Sequence, residues 1–152
     1  MRNSKANRPA PWILLSILLV AILLASGCAS ADTKSSKPES DAQTLETISS
    51  KKAFDLIQNN QADPDFVILD VRTPAEFAAG HIENAVLIDF YAKTFANELD
   101  KLDKGKTYLV YCRSGNRSGQ TLNLMQGLNF SRVYNIDKGI NQWLAQGLPI
   151  VK

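Results

Sequence analysis

Residues 107–118 read TYLVYCRSGNRS, an apolar run followed by a cysteine and then by small, polar and basic side chains. The run Thr107–Tyr111 is typical of a buried strand, and a helix-like segment follows from Ser118, so Cys112 falls where a strand gives way to a helix. At such a junction the N–H groups of the loop and of the first helical turn have no intrahelical acceptors and converge on an anion. A cysteine thiolate is such an anion.

The surroundings of Cys112 predict an activated thiol. The loop N–H donors, the positive end of the helix dipole and the side chains of Arg113 and Arg117 all favour the ionised sulfur, and they should lower the pKa of Cys112 below about 8.5. The alternative is a buried structural cysteine, but such cysteines lie in apolar surroundings, whereas this one is followed by polar and cationic residues. We therefore interpret Cys112 as a nucleophile.

The loop after Cys112 resembles the active-site loop of the rhodanese, or sulfurtransferase, family, in which a cysteine and the next five residues form a cradle. The resemblance continues on both sides in the family's order and covers about residues 41–152. The matching segments are LDVRTPAEF at residues 69–77, Gly80-His81-Ile82, Gly139-Ile140, Trp143 and Gly147-Leu148-Pro149. Two residues depart from the family pattern, because Asn84 and Lys138 stand where glycine is usual.

This resemblance implies an α/β fold with a central parallel five-stranded sheet flanked by helices, and a single rhodanese unit. It implies that Cys112 is the catalytic residue of a sulfurtransferase that needs no cofactor. Cys112 would take sulfane sulfur from thiosulfate or a related donor as a persulfide and pass it to a thiol or to cyanide. The implied substrate-binding residues are Arg113, Ser114, Gly115, Asn116, Arg117 and Ser118.

Four other candidate residues have structural interpretations. Asp70 could be a general base and Arg72 could bind substrate, but in the family these positions mainly support the fold, so we expect an ion pair that orders the loops around the site. His81 is the only histidine, yet its Gly-His-Ile context resembles a family position that packs a turn. We therefore expect no catalytic Cys-His pair, and we expect Trp143 in the core.

Strand-like and helix-like segments alternate along residues 41–152, which predicts a parallel α/β sheet. The expected strands are 45–48, 66–69 closed by Asp70, 85–88, 107–111 and 132–136. The first expected helix is capped by Ser49 or Ser50, and its core stripe consists of Ala53, Phe54, Leu56 and Ile57. The second expected helix begins at the capping box Thr73–Glu76. It runs from Pro74 to about Ala79, where Gly80 stops it. The others are 94–102, 118–126 ended by Gly127, and 140–146 ended by Gly147, with Ile140, Trp143 and Leu144 facing inward. Because ligands gather at the carboxyl ends of parallel strands, this arrangement places Cys112 at the expected site.

Residues 1–27 predict a bacterial lipoprotein signal peptide. Three basic residues precede the apolar run Trp12–Ala25, whose 14 residues would rise only about 21 Å as a helix, less than the roughly 30 Å hydrocarbon core. The small residues before Cys28 resemble the lipobox, in which the cysteine receives a diacylglyceryl group. We therefore expect a lipid on Cys28. Ala29 follows, where an aspartate would resemble an inner-membrane retention signal, so in a cell with two membranes we expect the periplasmic face of the outer membrane. In a cell with one membrane, the same tether would hold the domain on the outside of the cell. An uncleaved N-terminal anchor is the alternative.

The mature chain is expected to consist of a flexible tether, residues 28–40, and one domain, residues 41–152. Removing the signal peptide removes 3 of the 17 basic residues and none of the 15 acidic ones. The mature chain then has 14 basic and 15 acidic residues, which gives a net charge of −1.

No basic patch with interleaved aromatic residues is present, so nucleic acid is a poor candidate partner. One histidine and two cysteines give no zinc pattern. The expected partners are the sulfur donor, a thiol or cyanide acceptor, the membrane and, as an option, a protein that accepts the sulfur.

Two other functions stay open. Phosphatases of the Cdc25 type and arsenate reductases also hold a cysteine in an anion cradle that ends in arginine, but a phosphate needs one more loop residue than a persulfide does. Here four residues separate Cys112 from Arg117, which favours the shorter, sulfur-sized cradle. The second alternative is a membrane-tethered sulfur-relay or binding module with little turnover, although inactive relatives usually lack the cysteine that this chain keeps.

Overall fold

The computed structural model describes residues 43–152, and the predicted signal peptide, the tether and Cys28 lie outside this range. Five strands alternate with five helices along the described chain, as the sequence predicts. The strands are β1 (Thr44–Ile48), β2 (Phe66–Asp70), β3 (Val86–Leu87), β4 (Thr107–Tyr111) and β5 (Arg132–Ile136). The helices are α1 (Ser50–Asn59), α2 (Pro74–Ala79), α3 (Phe95–Asp100), α4 (Asn116–Gly127) and α5 (Gly139–Ala145).

The strands form one parallel sheet in the order β1-β5-β4-β2-β3, so β4, which delivers Cys112, lies in the centre. Strand β4 pairs with β2 from Phe66 opposite Thr107 to Asp70 opposite Tyr111. This register brings the carboxyl end of β2 level with the residue before Cys112. The topology therefore gathers the loops after β2 and β4 at one edge of the sheet, where ligands of such folds bind.

Each face of the sheet is covered by a separate apolar cluster. On one face, Phe95 and Leu99 of α3 and Met125 of α4 pack against the strands. On the other face, Ala53 of α1 and Trp143 of α5 do so. The predicted positions of Trp143 and of the α1 stripe are thus confirmed, and the Trp143 indole N–H donates to the Pro149 carbonyl (2.9 Å). With both faces covered, the central strands are buried, which explains their continuous apolar sequences.

The helix caps follow the sequence closely at the start of α1 and α2. Ser49 is the N-cap of α1 and accepts a hydrogen bond from the Lys52 N–H (3.3 Å). The predicted capping box is present, because the Thr73 hydroxyl accepts from the Glu76 N–H (3.3 Å) while the Glu76 carboxylate accepts from the Thr73 N–H (3.1 Å). Both caps satisfy N–H groups that a helix leaves unpaired.

Three expectations about the helices are wrong. Helix α4 begins at Asn116 rather than Ser118, because Gly115 takes the left-handed conformation (φ 90°) and turns the chain directly into the helix. The same helix includes Gly127, and the left-handed residue after it is Asn129 (φ 64°). Leu144 points outward and is 48% exposed, because Ile140 and Trp143 face the core and the residue after Trp143 lies about 100° further round the helix.

The edge strand β3 is shorter than predicted, with two residues in place of four. Its only neighbour in the sheet is β2, and Val86 is half exposed. An edge strand needs fewer ladder hydrogen bonds than a central one, and short edge strands resist pairing with other chains. The Ile88 N–H still donates to the Asp70 carbonyl (3.0 Å), which continues the contact one residue further.

Asn84 and Lys138, the two departures from the family's glycines, both adopt the left-handed conformation, with φ 62° and 55°. This conformation is free of strain for glycine and costs most other residues about 1–2 kcal/mol. These two left-handed positions are therefore occupied here without glycine. Asparagine tolerates the strain better than lysine, so Lys138 carries the larger penalty.

Candidate active site

The loop after β4 folds around the sulfur of Cys112. The Gly115 N–H donates to Cys112 Sγ (3.2 Å), and the Ser118 hydroxyl lies 3.4 Å from the same sulfur. Cys112 is fully buried, and it is the one cysteine of the described residues. The predicted convergence of loop and helix donors on this sulfur is therefore present in the geometry.

Helix α5 holds the outer side of the loop. The Ile140 N–H donates to the Cys112 carbonyl (2.8 Å) and the Asn141 N–H donates to the Arg113 carbonyl (3.1 Å). A Cβ at Gly139 would collide with the Cys112 carbonyl oxygen and lie 2.8 Å from the Arg113 carbonyl carbon. Glycine is required there, because α5 approaches the loop backbone too closely for any side chain.

The pKa of Cys112 is lowered from its ordinary value, although burial of the thiol acts in the opposite direction. The Ser118 hydroxyl, followed by the backbone N–H groups of Ser118, Ser114 and Gly115, donates hydrogen bonds that favour the thiolate and outweigh this burial. The sequence-based argument is right about the direction of the shift. The donors responsible are the loop N–H groups and the Ser118 hydroxyl.

Replacing Ser118 with alanine should move the pH dependence of the thiol upward. The loss of one hydrogen bond to the thiolate should raise the pKa of Cys112 by about one pH unit, so reactivity falls most at acidic pH, where the thiolate fraction drops first. The rate of iodoacetamide alkylation against pH measures this directly on the domain, in which Cys112 is the only thiol. An unchanged alkylation profile would show that Ser118 does not stabilise the thiolate.

Asp70 and Arg72 form the expected ion pair behind the loop. Arg72 Nε donates to Asp70 Oδ1 (2.9 Å), Arg72 Nη2 donates to Oδ2 (2.6 Å), and the same Nη2 donates to the Gly80 carbonyl (2.8 Å). The Arg72 guanidinium also lies 5.4 Å from the centre of the Tyr111 ring, whose hydroxyl accepts from the Ile82 N–H (3.1 Å). This buried network connects the ends of β2 and β4 to the turn after α2.

Arg117, expected to bind substrate, makes a bidentate ion pair with Glu76. Its Nη1 and Nη2 donate to Glu76 Oε2 and Oε1, each at 2.8 Å. The Arg117 hydrogen bond lowers the pKa of Glu76 to about 2, and the same contact raises the pKa of Arg117. Sequence reasoning found Glu76 only as part of a capping box, because its partner lies 41 residues away in the chain.

An open pocket of about 410 Å³ lies over the loop. It is lined by Glu76, Tyr91, Arg113, Ser114, Asn116 and Arg117. Cys112 is buried beneath the loop and is not part of the lining. Four of the six predicted substrate-binding residues thus face one pocket, while Gly115 and Ser118 contact the sulfur from inside the loop. Tyr91, from the segment between β3 and α3, was not predicted.

Comparison with known proteins agrees with this geometry. Residues 53–146 match the sequence profile of the rhodanese-like domain. The chain belongs to the rhodanese-like family. It is 36% identical over 87 residues to a sulfurtransferase from Allochromatium vinosum, a match that covers 57% of this chain and 79% of that protein. Sulfurtransferase is therefore one of the activities named among its relatives.

Two further proteins are similar to part of this chain. The chain is 35% identical over 98 residues to a tRNA uridine(34) hydroxylase from an Enterobacter species, but the match covers 58% of this chain and only 28% of that enzyme. A crystal structure of a rhodanese-related protein from Thermoplasma volcanium is 26% identical, with a TM-score of 0.60 over 70% of this chain and 97% of that one.

His81 packs a turn, as the resemblance to rhodaneses implied. Its ring stacks on Phe77 at 3.7 Å between centroids, and Nδ1 lies 3.1 Å from the Phe77 carbonyl oxygen. A β-bridge with Val151 holds the backbone, and His81 is not among the residues lining the pocket. His81 therefore packs the turn after α2.

Within residues 43–152, no cluster of three or more His, Cys, Asp or Glu side chains is arranged to hold a metal ion. None of the helices in this part of the chain is both long and apolar enough to cross a bilayer.

Proposed function

We propose that this rhodanese-like protein is a sulfurtransferase that carries sulfane sulfur as a persulfide on Cys112. The observation that carries the proposal is the position of Cys112 Sγ, which is enclosed by a short loop whose N–H groups and Ser118 hydroxyl point at it. Such donors stabilise a thiolate, and they can equally hold the terminal sulfur of a persulfide anion. Membership of a family with a relative named sulfurtransferase supports the same chemistry.

The first half-reaction begins with attack of the Cys112 thiolate on the outer sulfur of thiosulfate or a related donor. A bond forms between Sγ and that sulfur, the sulfur–sulfur bond of thiosulfate breaks, and its electron pair leaves with sulfite. Arg113 lines the pocket beside the loop, and in this proposal it binds the oxyanion end of the donor. No acid or base is required, since the nucleophile is already ionised.

In the second half-reaction, cyanide or a thiolate attacks the terminal sulfur of the persulfide. The bond between Sγ and that sulfur breaks, and the Cys112 thiolate is restored by the electron pair. The two half-reactions share one enzyme site and a covalent intermediate, so the kinetics should be of the ping-pong type. We do not extend RNA modification to this chain, because the hydroxylase match covers 28% of that enzyme.

Thiocyanate formation from thiosulfate and cyanide tests the proposal, with parallel lines in double-reciprocal plots as the expected result. Hydrolysis of a phosphate monoester and reduction of arsenate are the matched assays for the alternative chemistry. The bidentate contact of Arg117 with Glu76 leaves that arginine less available to a phosphate group, which favours sulfur transfer. Phosphatase activity without thiocyanate formation would contradict the proposal.

We also propose that lipid on Cys28 holds the mature protein on the periplasmic face of the outer membrane. The proposal is supported by the basic start, the short apolar run and the lipobox-like residues before Cys28. A diacylglyceryl group supplies two acyl chains, which suffice for stable anchoring.

Replacing Cys28 with serine should abolish labelling by a radioactive fatty acid and release the protein from membranes or leave the precursor unprocessed. The rhodanese-like domain should react as before, because Cys28 lies outside it. Labelling that persists in the variant, or a mature chain that still begins at Met1, would favour an uncleaved anchor over lipidation.

A further inference from the structure

The pocket over the active-site loop contains one cation that is not neutralised by a neighbouring carboxylate. Arg117 is paired with Glu76 through two hydrogen bonds of 2.8 Å, and Glu76 stays ionised at any physiological pH because its pKa is about 2. Among the described residues, no acidic group lies within ion-pair distance of Arg113. The side chains of the pocket therefore supply a net charge of one positive unit.

The other hydrogen-bond donors of the site already contact the nucleophile. The Gly115 N–H and the Ser118 hydroxyl face Cys112 Sγ, and they stabilise the thiolate before any donor arrives. A doubly charged donor such as thiosulfate therefore meets one free cation and one thiolate. The free energy of desolvating an ion grows with the square of its charge, whereas its attraction to a single cation grows linearly with the charge. Arg113 therefore compensates one negative charge of thiosulfate and leaves the second one uncompensated.

Tyr91 provides an aromatic surface at the same pocket. Its side chain is 68% exposed, the largest exposure among the large apolar side chains of the described chain. The backbone at this position is held, because the Tyr91 N–H donates to Asp89 Oδ1 (3.0 Å) and the neighbouring Phe90 packs at 5.1 Å on the buried Phe95. Behind the ring, the Arg117 guanidinium lies 5.5 Å from its centroid. An inorganic donor has no apolar group that could use this surface.

Glu76 thus has two effects on the pocket. It cancels the charge of Arg117, and it holds the guanidinium against the Tyr91 ring, which fixes one side of the aromatic surface. Glu76 is itself held from behind, since the Thr73 hydroxyl and N–H both donate to its Oε2 (3.0 and 3.1 Å).

We propose that the preferred sulfur donor is an organic molecule with a single negative charge, with Tyr91 as the specificity-determining contact for its apolar part and Glu76 as the residue that sets the pocket charge. The proposal rests on the sulfurtransferase function proposed above. For a thiosulfonate, the Cys112 thiolate attacks the outer sulfur, a bond forms between Sγ and that sulfur, and the sulfur–sulfur bond of the donor breaks. Its electron pair leaves with the sulfinate, so one thiolate and one thiosulfonate anion give one persulfide anion and one sulfinate anion.

The test compares benzenethiosulfonate with thiosulfate on the full chain in detergent, with cyanide as the common acceptor. In ping-pong kinetics, kcat/KM for the donor reports the first half-reaction alone. We divide kcat/KM for benzenethiosulfonate by kcat/KM for thiosulfate. This quotient is then divided by the ratio of the rates at which the same two donors react with free N-acetylcysteine, which removes the difference in intrinsic reactivity between the donors and gives the corrected ratio. We expect the corrected ratio to favour benzenethiosulfonate by about tenfold or more, since an aromatic contact and one uncompensated charge each contribute several-fold.

Two variants test the two residues separately. Tyr91→Ala should lower the corrected ratio about twofold to tenfold, whereas Tyr91→Phe should keep it, because the ring and not the hydroxyl makes the contact. Glu76→Gln should lower the corrected ratio about fivefold, because the charge of Arg117 is then no longer neutralised and can bind thiosulfate. Glutamine at this position preserves the capping box of α2. Leu144→Ala, an exposed apolar residue of α5, is the matched control and should leave the ratio unchanged.

A ratio is independent of the fraction of active protein, so loss of stability in a variant does not imitate the expected result. A corrected ratio near one in the unmodified chain, or a ratio that Tyr91→Ala and Glu76→Gln both leave unchanged, would overturn this proposal. In that case sulfur would still be transferred from thiosulfate and the function proposed above would stand. Failure of both donors to place sulfur on Cys112 would instead overturn the sulfurtransferase function itself.

Discussion

Replacement of Cys112 by serine should reduce thiocyanate formation from thiosulfate and cyanide by at least about 10³-fold. Serine keeps the size of the side chain and its place among the loop donors, but a hydroxyl is almost completely protonated at neutral pH and provides no anionic nucleophile. The loop donors that stabilise a thiolate also lower the pKa of a hydroxyl. This effect is small compared with the gap between the ordinary pKa of a hydroxyl and neutral pH. The measurement is the steady-state rate at saturating cyanide, with the melting temperature as a control for folding.

The same variant distinguishes catalysis by Cys112 from catalysis elsewhere. Cys112 is the only cysteine of residues 41–152, so no other thiol of the domain can replace it. Because the side chain is fully buried, a small loss of stability is expected from the more polar hydroxyl. Activity that survives in folded Cys112→Ser protein would refute a persulfide mechanism at this residue.

Replacement of Arg72 by alanine should lower the free energy of unfolding by about 3–5 kcal/mol, because it leaves the Asp70 carboxylate buried without its partner. It also removes the hydrogen bond to the Gly80 carbonyl (2.8 Å) and the contact with the Tyr111 ring. For a domain of this size, the melting temperature should fall by more than about 10 °C. Chemical denaturation and thermal melts measure the two quantities.

Arg113→Ala is the matched comparison, since it removes the same side chain from an exposed position. Its melting temperature should change little, while kcat/KM for thiosulfate should fall roughly tenfold with the loss of the free cation beside the loop. Activity of Arg72→Ala is compared at a temperature where that protein is still folded. Equal kinetic losses in both variants, without a loss of stability in Arg72→Ala, would place Arg72 in the substrate site.

The features that sequence predicted best depend on short-range patterns. The central strand β4 is a continuous apolar run, and the capping box Thr73–Glu76 and the N-cap Ser49 are local signals with a known geometry. The loop around Cys112 is also local, because the hydrogen bonds to its sulfur come from Ser114, Gly115 and Ser118, which all lie within six residues of it. For these elements, sequence neighbours are spatial neighbours.

The features that sequence missed depend on long-range contacts or on the backbone of single residues. Glu76 and Arg117 are separated by 41 positions, and the choice of Glu76 as the partner is made by the packing of α2 against the loop. Tyr91 belongs to an irregular segment, and its neighbour Phe90 packs against the buried Phe95, a contact that sequence alone does not show. The end of α4 was misplaced because both Gly127 and Asn129 can end a helix, and only the fold shows that Asn129 takes the left-handed conformation.

Intact-protein mass spectrometry of the domain after brief exposure to thiosulfate tests the central claim most directly. The predicted result is a mass increase of one sulfur atom, located on Cys112 by peptide mapping, absent in Cys112→Ser and lost when cyanide is added. Turnover of thiosulfate with no sulfur on Cys112, or a sulfur adduct that cyanide does not remove, would contradict transfer through a Cys112 persulfide.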